Sequence, residues 1–143
     1  MILPSELNEK YRKVSSVYNQ TVSKADQIAL CSFIRDGHLS AQIRKSRKLY
    51  LQKSKILCDL LTENFKDKVT IGKTDSPLFV KALFKTDISL PLLLNKCEKE
   101  GISFIPIAEK TGEVEIAFSV SAISTEKMER GVILLKKLTS DSE

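Results

Sequence analysis

The sequence is poor in the residues that usually carry chemistry. It has a single histidine, His38, and no Cys-x-x-Cys, so a zinc site of the usual ligand spacing is excluded. Its three cysteines, Cys31, Cys58 and Cys97, are far apart and each falls inside an apolar helical pattern, which reads as reduced core thiols. No apolar run approaches the roughly 18 residues that a membrane-spanning helix needs. The start, Met1 to Asn8, lacks a basic segment followed by an apolar core, so no secretory signal is read and a cytoplasmic location is expected. No glycine-rich phosphate loop, Gly-x-Ser-x-Gly elbow, His-Glu-x-x-His or Walker pattern occurs. His38 adjoins Gly37 and has no assignable partner, so a helix-end imidazole is expected instead of a catalytic base. On the residues alone, no active site is visible.

What is present is an ordinary globular balance, 42% apolar and 29% charged over 143 residues, enough for one core. The chain is organised around Leu39 to Asn64, read as one amphipathic helix. Leu39, Ile43, Tyr50, Leu57 and Leu61 recur at four- and seven-residue spacings, with Leu49, Ile56 and Leu60 widening the stripe. Without Gly or Pro it would run to about 40 Å at about 1.5 Å per residue, the width of a small domain. The net charge of +5 is concentrated here, since six of the twelve residues from Arg44 to Lys55 are Lys or Arg. Such a face is either solvated, turned toward an acidic neighbour, or a phosphate-binding surface built on Arg44, Lys45, Arg47 and Lys48.

Before this helix, Pro4 and Ser5 open a helix to about Tyr18, and Ser23 with Asp26 resembles a capping box for a second helix that Gly37 ends. After it, Val69 to Ile71 reads as a short strand, Asp75-Ser76-Pro77 as a turn, and Leu78 to Lys85 as the best strand, with Val80, Ala82 and Phe84 on one side. Ser89 to Glu100 is a helix with Pro91 in its first turn and Gly101 closing it. Ile102 to Ile107 and Val114 to Val120 are strands joined at Thr111-Gly112, and Ser124 caps a last helix, Glu126 to Leu138, with Met128, Val132, Leu135 and Leu138 inward. The expected fold class is α+β, a two-layer sandwich in which the long helix and two further helices pack on a small, mostly antiparallel sheet. The expected divisions are a helical segment over 1–38, a small domain over 39–139, and a frayed acidic tail over 140–143.

A resemblance enters at the long helix. Gln27, Phe33-Ile34-Arg35-Asp36-Gly37-His38, Ile43-Arg44, Arg47 and Tyr50 resemble the Gln…Phe-Ile-x-x-Gly…His-x-Arg-x-x-Arg-x-x-Tyr signature in the aminotransferase-like half of MocR-type regulators of the GntR family. Glu100 to Pro106 looks like that family's strand after the small-domain helix, and Ile116-Ala117-Phe118 with Ile123 to Leu138 looks like its final strand and helix. The segment Met1 to Pro4 is similar to one shortly after the family's cofactor lysine.

The resemblance implies the C-terminal part of a fold-type I pyridoxal-phosphate protein: the end of the large domain over 1–38, then the small domain. It implies pyridoxal phosphate in the parent protein and none held by this chain alone, because the Schiff-base lysine, ring-stacking aromatic and most phosphate ligands would lie upstream of Met1. No lysine here is assigned as the Schiff base. The implied partners are the rest of the large domain, an N-terminal DNA-binding domain through which alone DNA would be met, and a second copy in a homodimer. The family presents an arginine to the ligand carboxylate from a Pro-Leu-Ser-Arg-like segment. The matching stretch here is Pro106-Ile107-Ala108-Glu109, followed by Lys110, so Glu109 and Lys110 stand at the candidate substrate-binding position. In class I aminotransferases the corresponding arginine precedes the last strand, where this chain has Glu113 or Glu115. Three functions stay open: a non-catalytic, effector-sensing fragment of a regulator, the C-terminal domain of a true class I/II aminotransferase, or a standalone module binding protein or nucleic acid through its basic helix. If residues 1–38 were shaped to lie against an absent domain, Ile2, Leu3, Val17, Ile28 and Phe33 would be exposed or paired with a second copy.

Overall fold

Helix α1 (Ser5–Ser15) starts where the Pro4 carbonyl accepts from the Asn8 N–H at 2.9 Å, with Glu6 in its first turn and Arg12 and Lys13 in its last, as the helix dipole favours. The computed structural model describes residues 4–15 and 22–140, so the expected end of this helix near Tyr18, and Ile2, Leu3 and Val17, lie outside the described residues. The chain divides into two compact units, Met1–Ile43 and Arg44–Glu143.

In the first unit, Ser23 caps α2 (Lys24–Arg35), its Oγ accepting from the Ala25 N–H at 3.2 Å; the reciprocal Asp26 half of the capping box is not formed among the described residues. At the other end Gly37 takes φ +80°, the left-handed turn that a Cβ would oppose, and its N–H donates to the Ile34 carbonyl. Helix α3 (His38–Phe65) begins at once. The imidazole of His38 rests on the ring of Phe33, centroids 5.6 Å apart, the helix-end position the sequence suggested. No residue of α2 is buried; Ile28 is 68% and Phe33 40% exposed. Cys31 is exposed as well, which corrects its reading as a core thiol: the apolar stripe it sits in has nothing covering it among the described residues.

In the second unit the apolar stripe of α3 is buried only toward its C-terminus. Leu57, Leu61 and Phe65 are in the core and Tyr50 packs against it, whereas Leu49 is 49% exposed. The stripe read over the whole helix is therefore corrected: Leu39 and Ile43, in the first unit, are exposed too. Lys66, at φ 51°, stops the helix, and a 3-10 turn leads to β1 (Val69–Gly72). Strand β2 (Phe79–Lys85) alternates as expected, with Val80, Ala82 and Phe84 buried. Helix α4 (Leu90–Lys99) buries Leu93 and Cys97 and ends in a Schellman motif: the Gly101 N–H donates to Glu98 and the Ile102 N–H to Cys97, at 3.1 and 2.8 Å, with Gly101 at φ +74°.

That motif displaces the next strand. Ile102 and Phe104 turn into the core, and β3 runs over Ile105–Lys110, three residues later than the sequence suggested and through to the hairpin. Strand β4 (Glu113–Ser119) returns from it, and α5 (Thr125–Ser140) buries Met128, Val132 and Leu135. Ser124 Oγ accepts from the Lys127 N–H at 3.4 Å as the expected cap, and Ser140 belongs to the last helical turn, while 141–143 lie outside the described residues. The sheet order is β1-β2-β4-β3 with every neighbouring pair antiparallel. The β2–α4–β3 connection thus passes over β4 and leaves β3 on an edge. Edge pairing explains how Pro106 is tolerated, beside a register shift between Pro106 and Ala108. The second half of α3 with α4 and α5 packs on the face carrying Val80, Ala82, Phe84, Val114 and Ile116. Along that layer Phe65, Phe84, Phe118 and Phe104 meet edge to face, with centroids 4.9, 6.4 and 6.2 Å apart. The result is the α+β two-layer sandwich.

Candidate functional site

The hairpin between β3 and β4 carries the two residues singled out for ligand binding. Glu109 lies opposite Val114 and Lys110 opposite Glu113, and both are exposed. Consecutive strand residues point to opposite faces, so Glu109 shares the helix-bearing face with Val114 while Lys110 is on the other face with Glu113. Glu109 and Lys110 both line an open cleft of about 410 Å³ together with Asp87, Ser89 and Thr111, where the Thr86 N–H donates to the Gly112 carbonyl at 3.0 Å. Two carboxylates and one ammonium make this corner net negative, which repels a carboxylate ligand. Glu115 faces Leu83 and Ala108 across the sheet, away from this corner.

A second cleft, of about 650 Å³, runs beside α5 over Ile102, Phe118, Ile123 and Met128, with Lys127 and Arg130 exposed beside it. A third depression, of about 460 Å³, lies on α3 itself between Arg44, Arg47, Lys48, Leu51, Gln52 and Lys55. The sequence singled out the cations of this face. It did not separate Lys53 from them: Lys53 turns to the core side, its Nζ donating to the Ile123 carbonyl at 2.7 Å and the Val120 carbonyl at 3.5 Å. Ser54, one residue on, donates to the Pro77 carbonyl at 3.1 Å. Together they pin the middle of α3 to both loops at that end of the sheet.

Pyridoxal phosphate needs a lysine able to shed its proton and donors for a dianionic phosphate. Each lysine lining the three clefts is exposed, with no enclosed pocket around it, and the cleft at the hairpin is acidic. The residues described here do not fit the cofactor. Two of the thiols are unsuited to nucleophilic work: burial pushes Cys97 up to about 11, and Cys58 is raised by burial and then by the neighbouring Asp59 carboxylate. Among the described residues, no group of three or more His, Cys, Asp or Glu side chains is placed to hold a metal, and no helix is long and apolar enough to cross a membrane.

No protein-family profile matches the chain. It is 33% identical over 112 residues to the uncharacterized HTH-type transcriptional regulator YdeL of Bacillus subtilis (strain 168), covering 76% of this chain and 23% of that protein. It is 24% identical over 110 residues to the probable rhizopine catabolism regulatory protein MocR of Rhizobium meliloti, covering 77% and 22%. The chain therefore spans about a quarter of the length of these relatives. Among solved structures, the α-aminoadipate aminotransferase LysN of Thermus thermophilus superposes with a TM-score of 0.68 over 97% of this chain and 36% of that one, at 17% identity. That likeness establishes the fold.

Proposed function

We propose that this chain, which matches the C-terminal, aminotransferase-like part of MocR-type regulators of the GntR family, is the effector-side portion of a pyridoxal-phosphate-binding transcription regulator and is not catalytic by itself. The observation that carries this reading is the pairing of two likenesses. Its sequence relatives are transcription regulators, while its fold, over 97% of its length, is that of an aminotransferase. In the whole protein, residues 39–139 serve as the small domain and 1–38 as the end of the large one. The exposed Ile28, Phe33 and Ile34 are then the surface that meets the remainder of the large domain, the interface a second copy completes in a homodimer. Closure of the small domain over cofactor and effector biases the DNA-binding part, in a protein that works in the cytoplasm. The negative corner at Glu109 implies an effector other than a plain amino-acid carboxylate, or one whose carboxylate is held elsewhere.

The test is to treat the chain with pyridoxal phosphate, reduce with borohydride and map the label. Sparse labelling spread over exposed lysines is expected. A stoichiometric adduct on one lysine would overturn the reading of a cofactor-incompetent portion. A second reading, the C-terminal domain of a true aminotransferase, is favoured by the solved structure it superposes on. An upstream DNA-binding domain in the same gene product decides for the regulator, and its absence for the enzyme.

A further inference from the structure

We propose that the outward face of α3 from Arg44 to Lys55 binds the phosphate backbone of duplex DNA without regard to base sequence, as an accessory contact of the regulator proposed above, on which reading it rests. Residues 38–58 contain no Asp or Glu, although the chain as a whole has 18 acidic residues against 23 basic ones. Of the six cations in this stretch, Lys53 is occupied by two backbone carbonyls and serves the fold. Arg44, Lys48 and Lys55 recur at four- and seven-residue spacings and so fall along one line of the helix, with Leu51 beside it and Arg47 and Lys45 flanking it on opposite sides; of these two only Arg47 lines the depression.

All four cations are exposed around one open depression, and none of them is in an ion pair among the described residues. Like charges left un-neutralised along about 16 Å of helix repel one another, a cost that a polyanion removes. Phosphates follow each other at about 3.4 Å of duplex axis per strand, so the stripe meets several of them, and two of its members are guanidinium groups suited to two-pronged phosphate contacts. Tyr50, the nearest aromatic, is packed against the core, so the face offers no platform for stacking unpaired bases, which favours duplex over single strands.

The probe is a random-sequence 20-base-pair duplex, followed by fluorescence anisotropy with the full 143-residue chain. Four phosphate contacts predict a log–log salt slope near −3.6 and an affinity loss of about 150-fold between about 50 and 200 mM NaCl. Arg44→Gln, Arg47→Gln, Lys48→Gln and Lys55→Gln should each make the slope shallower by about 0.9, whereas Lys45→Gln and the double variant Lys136→Gln/Lys137→Gln should leave it unchanged. All seven positions are exposed, and circular dichroism verifies that each variant is folded. A slope shallower than about −1, or equal losses in the controls, would overturn the proposal. So would competition by polyglutamate as effective, charge for charge, as by DNA, which would assign the face to an acidic protein surface. Failure here leaves the regulator reading standing, because that reading is decided by what the native gene product carries upstream.

Discussion

Leu61→Ala and Leu49→Ala form a pair that separates the two halves of α3. Leu61 is wholly buried within the cluster that joins α3, α4, α5 and the sheet, while Leu49 belongs to the same sequence stripe but is 49% exposed. Truncating a fully buried leucine removes its transfer free energy and leaves a cavity that a close-packed core fills only in part, about 2.7–5 kcal/mol. At Leu49 half of the side chain is already in water and no close-packed core surrounds it, so the loss is about 0.5 kcal/mol or less. For a unit of this size, 1 kcal/mol corresponds to about 4–8 °C in Tm, so Leu61→Ala should lower Tm by more than about 10 °C and Leu49→Ala by less than about 4 °C. Urea titration followed by far-UV circular dichroism measures both, with unchanged m-values as the check on two-state behaviour. Equal costs at the two sites, or a Leu61→Ala cost below about 1 kcal/mol, would refute the one-sided burial of α3.

Lys53→Met should destabilise the fold by about 1–2 kcal/mol in the same titration, because it strips the Ile123 and Val120 carbonyls of a charged donor. A neutral result would mean that water replaces the ammonium without cost. In the native state a thiol reagent should modify Cys31 at once, Cys58 slowly, and Cys97 only on unfolding; prompt reaction at Cys97 would contradict its burial. The raised Cys97 value gives a pH signature with a definite sign. The unfolded thiol ionises at its ordinary 9.0 and the folded one at about 11, so this contribution is complete below pH 9.0 and is lost as pH rises toward about 11. Cys97→Ala should abolish that part of the alkaline loss, and identical alkaline slopes in the two proteins would count against it.

The fold was largely legible because each element satisfied its own local rule. The period-2 alternation of Phe79 to Lys85, the Pro91 and Gly101 punctuation of α4 and the Ser124 cap all appear where the residues put them. Strand β3 was misplaced because Ile102 to Ile107 is continuously apolar. Periodicity cannot say where such a run stops filling the core and starts pairing, and the Schellman turn decided it by drawing Ile102 and Phe104 inward. Phe65 was missed because the helix outran its apolar pattern by one residue, and the exposure of Leu39, Ile43 and Cys31 was invisible because an amphipathic stripe does not name what covers it. The family resemblance was legible in the motif around Gln27 to Tyr50 and agrees with the regulators the chain matches. The separation of Glu109 from Lys110 onto opposite faces required the register, which sequence spacing does not supply in an edge strand with a bulge.

The most direct measurement of the central claim is the mass of the native gene product, by immunoblot and intact-mass spectrometry from the source cell. A part of a MocR-type regulator predicts a protein about three and a half times the 16.1 kDa of this chain, carrying a DNA-binding domain upstream. A native product of 16.1 kDa would contradict it and would leave binding by the small domain itself as the function.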